Sequence, residues 1–224
     1  MKSFQGVDIA TTLQDLLNPA QLALVVYDMQ VGIRSQIADG DRVVSAVERV
    51  LEAARAAGVR TIFTRHMSLP VQLMGAMAFR TAMAWQHTDD PAKVSPWFLR
   101  DTPGFALVPE LQPRSSEAVF DKIAMSAFEG TPLAVTLRDC GVKAVAFVGI
   151  AIEIGIEPSA RHAADLGFTP IIVSDACGFG HKVAADRSLE ALRFSGDTVI
   201  IDQATFLGEL VRWTETRAGT KGSP

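Results

Sequence analysis

Val142-Lys143-Ala144-Val145-Ala146-Phe147-Val148-Gly149 leads without interruption into Ile150-Ala151-Ile152-Glu153-Ile154-Gly155. The first part suits a strand buried on both faces, because its apolar residues run on instead of alternating. Beyond it, Pro158 fits the first turn of a helix that runs to about Leu166 and stops at Gly167. The same unit recurs on both sides. Gln21–Asp28, Val59–Thr64 and Glu117–Lys122 read as strands before it; Thr169–Asp175 and Asp197–Ile201 read as strands after it. Between them lie helical patterns over 41–57, 133–138, 185–194 and 206–213. In the first, Val43, Val44, Val47, Val50, Leu51 and Ala54 share one broad face, and Gly58 is a natural stop. Six strands joined by helical crossovers predict an α/β fold, a mostly parallel sheet covered by helices on both faces. In such sheets ligands bind outside the carboxyl ends of the strands.

The repeat lapses between residues 67 and 114, where several prolines and Trp85, His87 and Trp97 stand with no clear strand. A connection of that length usually serves as a lid or a subunit contact. Met74, Met77 and Met83 mark a short, adaptable apolar helix within it, read here as packing on a partner subunit more readily than on a substrate. Residues 1–213 are read as one domain and 214–224 as a polar tail.

The chain has 224 residues and a formal net charge of −4, so a basic face for nucleic acid is not expected. No apolar run approaches the roughly 20 residues that span a bilayer. The N-terminus lacks the pattern of a secretory signal, and Cys140 and Cys177 form neither a disulfide framework nor a metal-ligand spacing. A reduced, cytoplasmic setting and a small-molecule substrate are expected.

Three motifs stand at strand ends: Val26-Tyr27-Asp28-Met29-Gln30; Asp121-Lys122 with Ser126-Ala127-Phe128 and Thr131-Pro132-Leu133; and Val148-Gly149 through Ala160, followed by Ala163-Ala164-Asp165-Leu166-Gly167 and Ser174-Asp175-Ala176. Together, over roughly residues 20–66 and 115–207, they resemble the isochorismatase-like (cysteine hydrolase) family. The resemblance implies a three-layer α/β/α Rossmann-like fold with a six-stranded sheet in the order 3-2-1-4-5-6, a homo-oligomer (dimer or tetramer) and no organic cofactor. It also implies a catalytic site made of Asp28, Lys122 and the turn at Gly155. Most members carry the nucleophilic cysteine where this chain has Gly155, with a cis peptide just before that turn, matched here by Ala151–Ile152. Glycine would leave the volume of the thiol open. Members that cleave a vinyl ether have an Ile-Gly pair in this place, matched by Ile154-Gly155.

The expected activity is acid-assisted, water-dependent cleavage of vinyl-ether type, with amide or ureide hydrolysis by activated water as the alternative. In the first, Asp28 protonates a vinyl ether and water completes the cleavage. In the other, Asp28 or Glu153 activates water against an amide or ureide. A catalytically inactive ligand-binding or interaction homologue is the third reading. Glu153 replaces the histidine of the vinyl-ether enzymes, and a carboxylate there disfavours a doubly anionic substrate; it is read equally as a backbone cap at a helix N-terminus. Glu157 is read as an ordinary acid of a first helical turn. Substrate contacts are expected from Glu153, Ile154, Ile152, Phe128, His66 and Arg65, with a structural ion pair as the rival role for Arg65. Some amidases of the family hold a metal through an Asp-x-His pair near His66; Arg65-His66-Met67-Ser68 has no aspartate, so no metal is expected. Cys177 is read as a small buried hydrophobe, and Ser159 and His162 as no catalytic pair.

Overall fold

The computed structural model describes residues 1–220. A hairpin of β1 (Lys2–Phe4) and β2 (Val7–Ile9) precedes the body, turning at Gln5 and Gly6, both at positive φ. Its three-residue strands are too short to carry a readable alternation, and the sequence reading omits them. The main sheet holds β3 (Leu22–Tyr27), β4 (Arg60–His66), β5 (Ala118–Lys122), β6 (Ala144–Ile150), β7 (Thr169–Gly178) and β8 (Val199–Ile201). Their order is β5-β4-β3-β6-β7-β8, and every neighbouring pair is parallel. Counted along the chain this is the order 3-2-1-4-5-6. The direction of winding reverses between β3 and β6, and at such a switch point two crossovers part and leave a crevice.

The helices are α1 (Leu13–Leu16), α2 (Val31–Arg34), α3 (Gly40–Ala57), α4 (Ala76–Trp85), α5 (Leu133–Asp139), α6 (Glu157–Asp165), α7 (Lys182–Ser195) and α8 (Gln203–Thr220). α8 runs past the Trp213 boundary read from the sequence, since polar residues such as Thr214 and Glu215 do not end a helix. Residues 221–224 of the expected tail lie outside the described residues. α3 ends at Gly58 in the left-handed conformation.

β3 is buried throughout, and its period of two divides the core. Leu22, Leu24 and Val26 face the layer of α3 and α8, with Val47, Leu51, Phe206 and Leu210. Ala23, Val25 and Tyr27 face the layer of α5, α6 and α7, with Leu133, Leu137, Ala160, Ala163 and Leu192. That alternation sends the Tyr27 side chain toward the turn that follows β6.

The 67–114 segment contains α4 and short 3₁₀ turns, and its one ladder contact is an isolated bridge between Leu107 and Gln30. Its two halves differ. Val94, Phe98, Phe105, Val108 and Leu111 are buried against the body. α4 buries no residue at all.

Candidate active site

Asp28 leaves the end of β3 at φ 48°, a left-handed conformation that aspartate tolerates better than most residues. The turn places its side chain at the crevice, 3% exposed. Oδ1 accepts from the Thr64 hydroxyl of β4 at 2.6 Å, and Oδ2 accepts from Lys122 Nζ at 2.7 Å. Lys122 closes β5 and is 2% exposed. Its ammonium has three protons and three acceptors: Asp28, the Tyr27 hydroxyl at 2.8 Å and the Ala124 carbonyl at 3.2 Å. Nothing is left over on Lys122 for a substrate.

Tyr27 is the residue that the sequence reading missed. Its hydroxyl donates to the Met125 carbonyl while accepting from Lys122. Burial, and then the neighbouring Asp28 charge, push its pKa well above the ordinary phenol value, so it stays a neutral hydroxyl. A Cβ built on Gly155 would overlap the hydroxyl and ring of Tyr27, and one built on Gly149 would overlap its carbonyl. Gly155 is therefore required by the tyrosine side chain, and Gly149 by the close approach of the backbone at position 27. The space beside Gly155 is not open, as expected from the sequence, but filled by a phenol. The signal was available in the alternation of β3, which puts position 27 on the α6 face.

The turn after β6 begins earlier than expected. The cis peptide is Ile150–Ala151, not Ala151–Ile152. β6 keeps its pairing to Ile150, opposite Gly178, and Ala151 already accepts the N–H groups of Gly155 and Ile156 at 3.1 Å each. Residues 152–156 form a single π-helical turn that runs into α6.

The other expected contacts divide sharply. Ile154 is 38% exposed and lines the cavity at Asp28, as does His66. Ile152 and Phe128 do not: both are buried in the core, Phe128 stacking on Phe168. Their positions looked open because a strand-end register does not show which way the following turn rolls. Arg65 is committed to structure, donating to Asp121 at 2.7 Å with its guanidinium 4.3 Å from the Phe105 ring centroid. Glu153 Oε1 accepts from the N–H groups of Gly180 and His181, both at 2.7 Å, so it ties the turn to the start of α7. Glu157 bonds Arg161 and Ser188. Ser159 donates to the Gly155 carbonyl, and His162 pairs with Ser126 instead. Cys177 is buried, its thiol pushed far up by burial, and Cys140 is exposed at the opposite end of the sheet.

His66 lies edge-on to Phe98, 6.0 Å between ring centroids. Burial, then the Lys122 charge, lower its pKa to about 4, so it is neutral near pH 7. Gln30 fixes its backbone on both sides, accepting from the His66 N–H at 2.6 Å and donating to its carbonyl at 3.1 Å. The cavity they face holds about 130 Å³ and is also lined by Ile33, Ile37, Trp85, Phe98 and Met125. Among the described residues no cluster of three or more His, Cys, Asp or Glu could hold a metal, and no helix is long and apolar enough to cross a membrane.

Residues 22–204 match the family model described as Isochorismatase domain. The chain is 28% identical over 176 residues to "Ureidoacrylate amidohydrolase RutB" of Acinetobacter baylyi, covering 72% of each chain. It is 32% identical over 169 residues to "Uncharacterized isochorismatase family protein YecD" of Escherichia coli O157:H7, covering 72% of this chain and 81% of that one. Among solved structures, a cysteine hydrolase from Pseudomonas syringae pv. phaseolicola superposes with a TM-score of 0.76 at 21% identity, over 88% of this chain and 95% of that one. The pyrazinamidase of Pyrococcus horikoshii in complex with zinc gives 0.66 at 24% identity, over 81% and 99%. At the end of β4 in this chain, Arg65 is held by Asp121 and His66 stands among Phe98, Trp85 and Met125.

Proposed function

Since the chain belongs to the isochorismatase family, we propose that it hydrolyses an amide-type C–N bond of a small molecule, with water activated by Asp28 and no covalent enzyme intermediate. The observation that carries this reading is the hydrogen bonding of Asp28. Both carboxylate oxygens are acceptors, one from Thr64 and one from Lys122. Acceptance on both oxygens suits a base; a proton placed on Oδ2 would displace the Lys122 bond, and one on Oδ1 would reverse the bond with Thr64. The vinyl-ether reading requires that protonated state at the first step, so the amide reading is the better supported. The name ureidoacrylate amidohydrolase, carried by the A. baylyi relative, is in keeping with it.

In this mechanism water in the cavity gives a proton to Asp28 as its oxygen attacks the carbonyl carbon. Before the step, Asp28 and Lys122 balance each other. As Asp28 is neutralised, the Lys122 charge is left to offset the new oxyanion, so the site's net charge stays constant in a low-dielectric setting. Asp28 then returns the proton to the departing nitrogen, yielding a carboxylic acid and an amine. Tyr27 orients the ammonium and closes the volume that a thiol would need. The expected homo-oligomer, a dimer or tetramer, belongs to this proposal and is checked by sedimentation velocity.

The test is a panel of small amides and ureides assayed for amine or ammonia. Asp28→Asn should lower kcat by at least about 100-fold, iodoacetamide should leave the rate unchanged, and hydroxylamine should trap no acyl-enzyme. Keto acid formed from vinyl ethers, with no amine from any amide, would overturn the reading.

A further inference from the structure

The cavity at Asp28 is the inner end of a larger space. It shares His66, Trp85, Phe98 and Met125 with an adjoining chamber of about 450 Å³. That chamber lies between α4 and the body. α4 contributes Met77 and Trp85; Trp97 and Ile123 come from the loops opposite. All four are large apolar side chains left open to solvent, Met77 at 72% and Ile123 at 56%. Together they make the chamber wall mostly apolar, with Ser68, Thr81 and Gln86 among its polar members, and an exposed apolar wall of this kind marks a contact surface. Here the wall leads to Asp28, the one carboxylate that lines either chamber among the described residues.

The charge pattern narrows the occupant. Among the described residues no lysine or arginine lines either chamber. Lys122 has spent its protons on Asp28, Tyr27 and Ala124, and His66 is neutral. An anionic group entering here would lose its hydration, find no cation and meet Asp28. An uncharged chain or ring loses nothing and gains burial against Met, Trp and Phe.

We propose that the outer chamber is the subsite for an apolar acyl or aryl group, and that the substrate is an uncharged amide with a medium-length hydrophobic tail. The subsite is read from the chamber alone; the word amide rests on the proposed function.

The two are separable by experiment. The intrinsic fluorescence of the full chain, in which Trp85 and Trp97 line the chamber, is titrated with 2-hexanone, 2-octanone and 2-decanone, which cannot be hydrolysed. Affinity should rise about three- to fourfold per methylene, and octanoate should bind at least tenfold more weakly than 2-octanone. Met77→Glu, a change at an exposed position, should weaken 2-decanone at least tenfold with an unaltered circular-dichroism melt. In parallel, kcat/KM for N-acyl anilides should climb from acetyl to octanoyl, and Met77→Glu should reduce the octanoyl-to-acetyl ratio about tenfold. Equal affinity for all three ketones, tighter binding of octanoate, or a Met77→Glu variant that changes only the oligomeric state overturns the subsite. Graded ketone binding without amine release from any anilide leaves the subsite standing and overturns the amide reading instead.

Discussion

Tyr27, Gly149 and Gly155 are best understood as one packing unit. The Tyr27 ring can stand against the turn after β6 only because Gly155 lacks a Cβ, while Gly149 lets β6 pass close to the backbone of residue 27. Restoring a cysteine at 155 is therefore not a simple regain of a nucleophile. Gly155→Cys alone should destabilise the protein by about 3 kcal/mol or more, since overpacking a tight core costs about 1–3 kcal/mol and the hydroxyl of Tyr27 also loses its place between Lys122 and Met125. Tyr27→Phe should not rescue it, because the ring itself overlaps the new Cβ. Tyr27→Ala combined with Gly155→Cys removes the overlap, so the pair should cost clearly less than the sum of the two single changes, although the lost phenol still leaves a cavity and unpaired groups at Met125 and Lys122. Urea denaturation of Gly155→Cys, Tyr27→Ala and the double variant gives the coupling, and costs that simply add would refute the shared-volume account. Tyr27→Phe by itself should cost about 1–3 kcal/mol, because the Met125 carbonyl loses its donor and Lys122 an acceptor.

At the scale of elements, the edge of the sheet that carries Lys122 is anchored from behind. Arg55 on α3 makes a two-pronged contact with Glu117, just before β5, at 2.7 and 2.8 Å. Both side chains are nearly inaccessible, 9% and 5% exposed. Arg55 also donates to the Gln112 carbonyl, so it pins the end of the 67–114 segment to the same helix. Glu117→Ala should cost about 1–3 kcal/mol, because Arg55 loses two charge-assisted hydrogen bonds but keeps Glu52 and the Gln112 carbonyl. Replacing both partners, Arg55→Met with Glu117→Leu, should cost far less, as apolar groups of similar volume replace a buried ion pair at little net expense. Thermal melts of the single and double variants give the comparison. The strands and long helices were legible because burial on both faces and a 3.6-residue period leave plain marks in the chain. The roll of the turn after β6 was not: whether Ile152, Ile154 or Phe128 meets the cavity depends on one residue of register, and no periodicity carries that.

For the molecule as a whole, the pH response follows from what is buried at the crevice. His66 is held neutral in the fold, with its pKa lowered to about 4, whereas unfolded histidine titrates near 6.5. The unfolded chain therefore binds the proton first as pH falls. This contribution is fully present above about pH 6.5 and is lost progressively down to about 4, up to about 3 kcal/mol. His66→Gln should flatten that part of the stability curve, read as the free energy of unfolding in urea between pH 7 and 4.5; an unchanged slope would show that His66 is not held neutral. The sequence by itself determined the six-strand alternation, the sheet order through its family resemblance, and the presence of Asp28 and Lys122 at strand ends, because these depend on short-range patterns. Only the tertiary structure decided that a tyrosine fills the place of the missing thiol, that Lys122 has no proton to spare, and that Asp28 opens onto an apolar chamber under α4. Those facts arise from side chains more than 90 residues apart meeting at one crevice, where volume and hydrogen-bond capacity are shared and no single stretch of chain records the sharing.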